Sequence, residues 1–242
     1  MKATEKQKDL AERIASVDWD EVRSRLSSGG FASVPGLLSA AECDELKAGY
    51  DDIIHRKRVV MERHSYGKGE YKYYTYPLPE QVETLRRKIY PELVPVANDW
   101  MSKLNIEVRF PADLAALKAL CEQSGQTMPT PLMLKYGKGG FNTLHQDLYG
   151  EVWFPMQCAV FLDRPDIDYT GGEFVLTEQI PRAQSKAMVL RPKQGDMLIF
   201  TTNFRAAKGS RGYYRAAMRH GVSEILEGNR HTLGIIFHDA VS

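Results

Sequence analysis

One stretch near the carboxyl end of the chain reads Tyr214-Arg215-Ala216-Ala217-Met218-Arg219-His220-Gly221-Val222. Side chains alternate between the two faces of a β-strand, so Ala216, Met218 and His220 would lie together on one face. The two arginines would lie on the other. A histidine among small apolar side chains, with its basic neighbours pointing away, suits the interior of a barrel. The pattern therefore predicts a strand that carries a polar side chain into a dry core.

Short apolar or alternating runs fill the rest of the second half of the chain. They are separated by Gly-rich or polar turns and lie at residues 132–136, 156–162, 173–177, 187–190, 197–200 and 232–237. Several short strands at this spacing are typical of a β-barrel or β-sandwich. We therefore expect residues 129–242 to form a β-rich core.

The first half, residues 1–128, is predicted to be mainly helical. Ser39, with Glu42 three residues later, forms a capping box that predicts a helix over residues 40–57. Residues 113–122 predict a further short helix. We expect these helices to form a layer that packs on the β-rich core.

A longer helical pattern covers residues 80–104. Apolar side chains recur at helical spacing from Val82 to Leu104, and Pro91 and Pro95 should kink or divide this helix. No internal repeat or low-complexity linker separates the two halves. The sequence therefore predicts an α+β protein of one domain over residues 1–242, with a helical N-terminal layer.

His145-Gln146-Asp147 forms, with the distant His220, a candidate metal site. Two ligands two residues apart on a strand or its exit point the same way. Two histidines and one carboxylate leave other coordination positions open, as in the facial triad of non-haem Fe(II) oxygenases. A short His-x-Asp sequence alone is common by chance, but here it accompanies His220 and a β-rich second half. We predict His145, Asp147 and His220 as metal ligands and catalytic residues.

Arg230 lies ten residues beyond His220, at the start of the last predicted strand. Thr232 would share its face, and Tyr136 lies on the strand before the triad loop. An inward arginine with a hydroxyl two residues on suits a bidentate clamp on a terminal carboxylate. The sequence predicts that Arg230, Thr232 and Tyr136 bind 2-oxoglutarate as co-substrate.

The composition limits the partners and the location of the protein. The formal net charge is +1, so no global field favours nucleic acid or membrane. Cys43, Cys121 and Cys158 are scattered and odd in number, which favours a reducing compartment. The amino-terminal residues lack an apolar signal core, and no apolar run approaches the ~20 residues of a membrane span. We expect a cytoplasmic protein without a membrane partner.

Two segments are candidate substrate sites, and the first of them is predicted to form a substrate hairpin within the helical half. Residues 63–79 carry Tyr66, Tyr71 and Tyr73 among basic side chains, and residues 205–219 carry Arg211, Tyr213 and Arg215 with no acidic residue. Aromatic platforms beside cations are what an unpaired base and its phosphates require. Alternating tyrosines are also good hairpin residues, and an arginine run is often a solvated strand face. A basic mouth would equally suit an acidic metabolite or an acidic protein segment.

The second half resembles the Fe(II)/2-oxoglutarate-dependent oxygenases of the prolyl-hydroxylase and AlkB type. Residues 169–174 resemble their Gly-Gly turn into a core strand, and residues 192–200 resemble the stretch that returns toward the distal histidine. The similarity is closer still to a bacterial oxygenase family proposed to act on alkylated DNA. It covers most of the chain and runs through residues 145–150, 171–179, 211–221 and 231–240.

The resemblance implies a double-stranded β-helix, or jelly roll, in which His145, Asp147 and His220 ligate Fe(II). Arg230 would bind 2-oxoglutarate, and O2 would be the oxidant. The implied reaction is oxidative demethylation of an alkylated nucleobase in a single-stranded nucleic acid. AlkB-type enzymes place their arginine further along and follow it with a second one, whereas no arginine follows Arg230 here. The spacing is nearer that of prolyl hydroxylases.

Two alternatives follow from the same residues. The first is a hydroxylase of a protein side chain or a small metabolite with the same iron chemistry. The second is a non-catalytic metal-binding barrel.

Overall fold

The strands form two main antiparallel sheets. The computed structural model describes residues 8–51, 55–147, 150–180, 182 and 184–242. Its strands are β1 Phe31–Val34, β2 His55–Val60, β3 Gly67–Lys68, β4 Glu70–Tyr74, β5 Leu132–Tyr136, β6 Phe141–His145, β7 Met156–Phe161, β8 Tyr169–Gly171, β9 Phe174–Gln179, β10 Lys186–Leu190, β11 Met197–Thr201, β12 Phe204–Gly209, β13 Gly212–Val222, β14 Ile225–Gly228 and β15 Arg230–Ile236. The larger sheet has the order β1-β11-β7-β15-β5-β4-β2. The smaller sheet has the order β10-β9-β13-β6-β3, with β12 on β13.

Every apolar run predicted in the second half overlaps a strand of the structure. Within β13, Ala216, Met218 and His220 are buried while Arg215 and Arg219 are exposed, as the alternation predicts. The sequence did not indicate β6, β8, β12 or β14. In β6 the burial pattern does not alternate, because most of its side chains are at least partly exposed. Pairing with β13 holds that strand in the sheet.

The helices are α1 Leu10–Ala15, α2 Trp19–Gly29, α3 Ala40–Ala48, α4 Glu80–Lys103 and α5 Leu114–Gln123. The capping box at Ser39 and Glu42 is present at the start of α3. This helix ends at Ala48, earlier than the predicted residue 57. Gly49–Asp51 forms a 3-10 turn, residues 52–54 of the predicted helix lie outside the described residues, and the chain from His55 onward forms β2 and pairs with β4.

The first half contributes strands as well as helices. β1 pairs with β11, and β4 pairs with β5, so both extend the larger sheet built from the second half. Strand β1 was not predicted within the helical layer, whereas β4 lies in residues 63–79, where a hairpin was predicted. The partner of β1 lies far away in the sequence, and β-propensity depends on such partners more than on the local residues.

Helix α4 continues through Pro91 and Pro95, so the predicted division is not observed. A proline inside a helix costs roughly 3 kcal/mol, because it lacks an N–H and its ring crowds the preceding turn. Burying one large apolar side chain contributes about 1.5–3 kcal/mol. Helix α4 buries a stripe of them, which offsets the two prolines: Val82, Leu85, Ile89, Leu93, Val96, Trp100 and Met101.

One hydrophobic cluster joins the helices to the larger sheet. It includes Leu26 of α2, Leu85 of α4, Val160 of β7, Ile199 of β11 and Leu233 of β15. None of the helices in the described part of the chain is both long and apolar enough to cross a lipid bilayer.

A buried ion pair fixes α4 to the chain just beyond β15. Arg86 is fully buried, and its guanidinium donates to the Asp239 carboxylate at 2.6 Å and to the Phe237 carbonyl at 2.8 Å. It also donates to the Ile236 carbonyl at 3.0 Å and to the Tyr76 hydroxyl at 2.7 Å. This network anchors the carboxyl end of the central strand β15.

Candidate metal centre and co-substrate pocket

His145 and His220 are cross-strand neighbours in the smaller sheet. His145 ends β6 and pairs directly with His220 of β13, and their ring centroids are 4.2 Å apart. His220 is buried, and His145 is partly exposed. Antiparallel pairing places directly opposed side chains on the same face, so two histidines 75 positions apart in the sequence meet.

Asp147 completes the cluster from the segment that follows β6. Its backbone N–H donates to the Thr202 carbonyl at 3.2 Å, which fixes the chain after the strand. One carboxylate oxygen lies 3.2 Å from His220 Nε2, and the other lies 3.6 Å from His145 Nε2. The ligand atoms of the three residues all lie within 4.8 Å of one another, so a single metal ion can reach all of them.

Two neighbours orient these ligands. His145 Nδ1 lies 2.7 Å from the Thr143 carbonyl, an arrangement that places the proton on Nδ1 and leaves Nε2 free for a metal. Gln157 of β7 donates to Asp147 Oδ2 at 2.6 Å, and its amide nitrogen lies 3.2 Å from His220 Nε2. Sequence reasoning missed Gln157. The available signal was a single polar side chain in the apolar run 156–162.

The electrostatics suit a divalent cation. Burial acts to raise the pKa of Asp147, but His220 and His145 outweigh it and hold this pKa well below the usual range of an aspartate. Burial and the neighbouring His220 lower the pKa of His145. The centre thus offers a carboxylate and an imidazole nitrogen at neutral pH, and this donor set with open positions fits Fe(II).

Arg230 is buried and its guanidinium has no hydrogen-bond partner among the described residues. None of its three side-chain nitrogens has a hydrogen-bond partner among the described residues, and neither does the Thr232 hydroxyl. The guanidinium faces the aromatic rings of Phe161 at 5.1 Å and Tyr136 at 5.6 Å. A buried cation without hydrogen bonds is costly. The site therefore fits a bound carboxylate, which would pair with the guanidinium in a bidentate manner.

The Gly-Gly turn leaves room for Arg230. Gly172 has a φ of +65°, and a Cβ at this position would lie 2.2 Å from Ile225 Cδ1 and 3.1 Å from Arg230 Cδ. Any larger residue would be strained and would push against the arginine stem. The turn that carried the family resemblance thus contributes to the co-substrate side of the site.

One cavity of about 340 Å³ connects the two groups. The smaller sheet and the segment after β6 line one side of the cavity with His145, Asp147 and His220. The larger sheet lines the other side with Arg230, Thr232 and Tyr136. Three predicted substrate residues also face the cavity: Tyr66, Tyr71 and Tyr73. The Tyr71 and Tyr73 rings meet edge to face at 5.4 Å. The structure thus brings nine of the predicted site residues together.

Arg211, Tyr213 and Arg215 are not among the described residues that line this cavity. They lie on the exposed hairpin of β12 and β13, where Lys103 lies over the Tyr213 ring at 4.8 Å and Arg215 lies over the Phe204 ring at 4.5 Å. Strand alternation turns Arg215 to the face opposite His220. The predicted basic mouth is therefore a separate surface.

Two further histidines have structural contacts. His231 Nδ1 lies 2.9 Å from the buried Asp163 carboxylate, which also accepts the His231 backbone N–H. His238 is buried, and its Nδ1 accepts the Phe154 backbone N–H at 3.1 Å. Burial lowers the pKa of His238 to about 4. Both histidines therefore contribute to the fold.

The fold and the triad define the class: a jelly-roll oxygenase with a two-histidine, one-carboxylate centre. A Pseudomonas putida prolyl-4-hydroxylase structure superposes with a TM-score of 0.56 at 12% identity, over 92% of this chain and 100% of that chain. A 2OG-Fe(II) oxygenase family oxidoreductase from Burkholderia pseudomallei gives 0.57 at 13% identity, over 93% of each. The predicted fold class is confirmed.

The chain belongs to the Oxygenase-NA family, described as oxygenases catalysing oxidative methylation of damaged DNA, whose model matches residues 69–240. Uncharacterized proteins from two strains of Mycobacterium tuberculosis are 48% identical over 164 residues, which cover 68% of this chain and 70% of theirs. The predicted enzyme class and the cofactor set of Fe(II), 2-oxoglutarate and O2 are confirmed by this membership together with the triad. A non-catalytic barrel is thereby excluded.

Proposed function

We propose that this protein removes methyl groups from alkylated bases of single-stranded nucleic acid by Fe(II)- and 2-oxoglutarate-dependent oxidation. The observation that carries the proposal is that one cavity joins the triad, the unpaired Arg230 guanidinium and three tyrosines. The family description, which concerns damaged DNA, supports the same class of substrate.

In this proposal His145, Asp147 and His220 hold the metal. The Thr143 carbonyl keeps the proton on His145 Nδ1, and Gln157 donates to Asp147 Oδ2 and so orients the carboxylate that would hold the metal. The rings of Phe200 and Phe174 lie 4.8 and 6.0 Å from the His220 ring and exclude water from that side. A dry wall limits the loss of reactive oxygen species to solvent.

Arg230 is assigned to the distal carboxylate of 2-oxoglutarate. Its fork can make two parallel N–H···O bonds, and the Thr232 hydroxyl supplies another donor beside it. The Tyr136 hydroxyl, which accepts from Asn142 Nδ2 at 3.4 Å, is free to direct its own proton toward the same anion. These groups orient the co-substrate with its oxoacid end toward the triad.

The bound Fe(II) centre, with 2-oxoglutarate and O2, supplies the oxidation of a C–H bond. 2-Oxoglutarate loses CO2 and becomes succinate with one oxygen atom, and the other oxygen atom enters the N-methyl group. The resulting N-hydroxymethyl group breaks its C–N bond, releases formaldehyde and leaves the base with N–H. An oxygenase acting on N-methyl groups therefore demethylates.

Tyr66, Tyr71 and Tyr73 are assigned to the base. They form an aromatic wall of the cavity, with Tyr66 partly exposed and stacked on His64 at 5.3 Å. Stacking of a base on an aromatic side chain is worth about 1–3 kcal/mol and is tolerant of base identity. A single-stranded substrate avoids the cost of extruding the base from a duplex.

The test measures succinate and formaldehyde released by the Fe(II)-loaded protein with N-methylated single-stranded DNA. The unmodified strand and the His145→Ala variant are the controls. We expect the methylated strand to stimulate both products in equal amounts, and the variant to give neither while its circular dichroism is unchanged. Equal turnover with the unmodified strand, or full activity in the variant, would refute the proposal.

A second candidate is hydroxylation of a protein side chain or a small metabolite. It is favoured by the likeness of the fold to prolyl hydroxylases and by Arg230 lying only ten residues beyond His220. Slow succinate release that no nucleic acid stimulates and that disappears in His145→Ala would favour this candidate over the first.

A further inference from the structure

Two hairpins of the smaller sheet concentrate the positive charge of the protein. Residues 174–190 and 204–222 contain seven lysines and arginines but one carboxylate, Glu178, which gives a formal charge of +6. The whole chain has a net charge of +1, so the remaining residues carry −5. The near-neutral total therefore conceals a strongly basic region.

Within this region, the least accessible charged side chains are the two that pair with each other. Glu178 pairs with Arg205 at 2.8 Å, and both side chains are nearly inaccessible. No exposed carboxylate lies in the described parts of the two hairpins, and six exposed cations form what we call the hairpin surface: Arg182, Lys186, Lys208, Arg211, Arg215 and Arg219.

The register of β13 arranges two of these cations in a row. Arg215 and Arg219 point to the outward face and are separated by four residues, or about 13 Å. Arg219 pairs with Thr177, which in turn pairs with the exposed Ala187. These small neighbours leave the arginine free to reach an anion. Arg215 is held in place by the Phe204 ring at 4.5 Å.

We propose that the hairpin surface binds the phosphate backbone of the nucleic acid whose modified base occupies the cavity. This inference rests on the proposed function. Along β13, Arg215 is five residues from His220 and Arg211 is nine, about 17 and 30 Å. At roughly 3.4 Å per nucleotide these are distances of several nucleotides. Arg211 and Arg215 therefore grip the strand away from the reacting base, whereas Arg219 adjoins His220 in the chain and lies on the opposite face of the sheet.

An aromatic side chain within the row favours nucleic acid over other polyanions. Tyr213 lies on the same outward face as Arg215, is 42% exposed, and is flanked by Lys103 at 4.8 Å from its ring. A ring among backbone-binding cations is the combination that single-stranded nucleic acids use, because bases stack while phosphates pair. An acidic peptide would use the cations without the ring.

The experiment measures binding of unmethylated 12-nucleotide and 3-nucleotide single strands by fluorescence anisotropy at several salt concentrations. The Arg215→Glu/Arg219→Glu protein is compared with wild type and with Arg87→Glu/Arg109→Glu, which reverses two exposed arginines elsewhere. We expect the hairpin variant to bind the 12-mer at least about tenfold more weakly. The slope of log K against log salt concentration should become shallower by about 1.4, because each of the two lost phosphate contacts contributes ~0.7. The control should change little.

A second pair, Lys208→Glu/Arg211→Glu, lies at the exposed hairpin turn and should act in the same direction without disturbing the Phe204 contact. Unchanged 12-mer binding in both hairpin variants, or an equal loss in the control, would overturn the inference. Equally tight binding of a polyglutamate peptide of matched length, lost in the same variants, would also overturn it, in favour of an acidic protein partner.

The proposed function is judged separately by formaldehyde release from a methylated trinucleotide, which is too short to reach the hairpin turn at Lys208 and Arg211. Its turnover should be the same in wild type and in Lys208→Glu/Arg211→Glu. If trinucleotide turnover is normal and the hairpin substitutions do not affect 12-mer binding, only the proposed role of the hairpin surface is refuted. Salt-dependent 12-mer binding without turnover of any methylated strand refutes the proposed demethylation.

Discussion

Arg86 and Arg230 lie near the two ends of strand β15 and are equally inaccessible, at 0% and 1% exposure. Arg86 is surrounded by acceptors and pairs with Asp239, whereas Arg230 has no hydrogen bond within the part of the chain that the structure describes. A buried guanidinium needs acceptors to be stable. Arg86 therefore belongs to the fold, and we propose that Arg230 belongs to a bound ligand. The same residue type, at the same burial, is distinguished only by its neighbours.

Replacing each arginine by methionine should separate these roles in stability. Arg86→Met leaves the Asp239 carboxylate buried and unpaired, so we expect a loss of about 3–5 kcal/mol in the free energy of unfolding. Arg230→Met removes an unpaired buried charge and should leave ligand-free stability unchanged or higher. Urea unfolding of both variants checks this, and a comparable loss in Arg230→Met would end the distinction.

The converse applies to co-substrate binding. Arg230→Met should raise the KM for 2-oxoglutarate at least about 100-fold, because two charge-assisted hydrogen bonds of about 1.5–3 kcal/mol each are lost. The thermal stabilisation that 2-oxoglutarate and Mn(II) give the wild type should also disappear. Arg230→Lys should recover part of the binding, since it keeps the charge but not the fork. An unaltered KM in the methionine variant would contradict the assignment.

Gln157 is intermediate between Arg86 and Arg230. It is a buried polar group that has partners, and those partners are the metal ligands. Gln157→Leu should weaken Mn(II) or Co(II) binding by about 10–100-fold, because Asp147 loses the donor that orients it. Metal titration followed by the Co(II) absorption spectrum measures this without turnover. Gln194→Leu, which removes an amide bonded to the Leu162 carbonyl, is the control. Equal affinities would assign Gln157 to packing alone.

His238 extends the comparison to a buried group that is neutral. Its pKa is about 4 in the folded protein because burial opposes its charge, against about 6.5 when unfolded. As the pH falls below 6.5, the unfolded chain binds a proton that the folded chain does not. Stability should therefore fall by up to about 1.4 kcal/mol per pH unit between pH 6.5 and 4. Above pH 6.5 the contribution is constant.

His238→Gln keeps an acceptor for the Phe154 N–H and cannot titrate. Denaturant unfolding at pH 7.0, 6.0 and 5.0 should show a shallower pH dependence in this variant than in wild type. Parallel pH profiles for the two proteins would mean that the pKa of His238 is the same in the folded and unfolded states, against the lowering expected from burial.

Much of the second half was predictable because its signals are local. Strand alternation placed His220 on the buried face of β13, and the predicted runs at 132–136 and 156–162 coincide with β5 and β7. The capping box of α3 could also be predicted, because it lies within four consecutive residues. Strands β1 and β2 of the first half could not be predicted in this way, because they exist through pairing with β11 and β4.

The sequence by itself determined the chemistry of the centre: two imidazoles, one carboxylate and a distal guanidinium, at positions set by strand period and residue type. Only the tertiary structure decided which groups share a cavity. It placed Gln157 against Asp147 and left Arg230 without a described partner. The physical reason is that residue identity and alternation are local properties, whereas hydrogen-bond satisfaction and enclosure depend on chain segments that meet only in the folded protein.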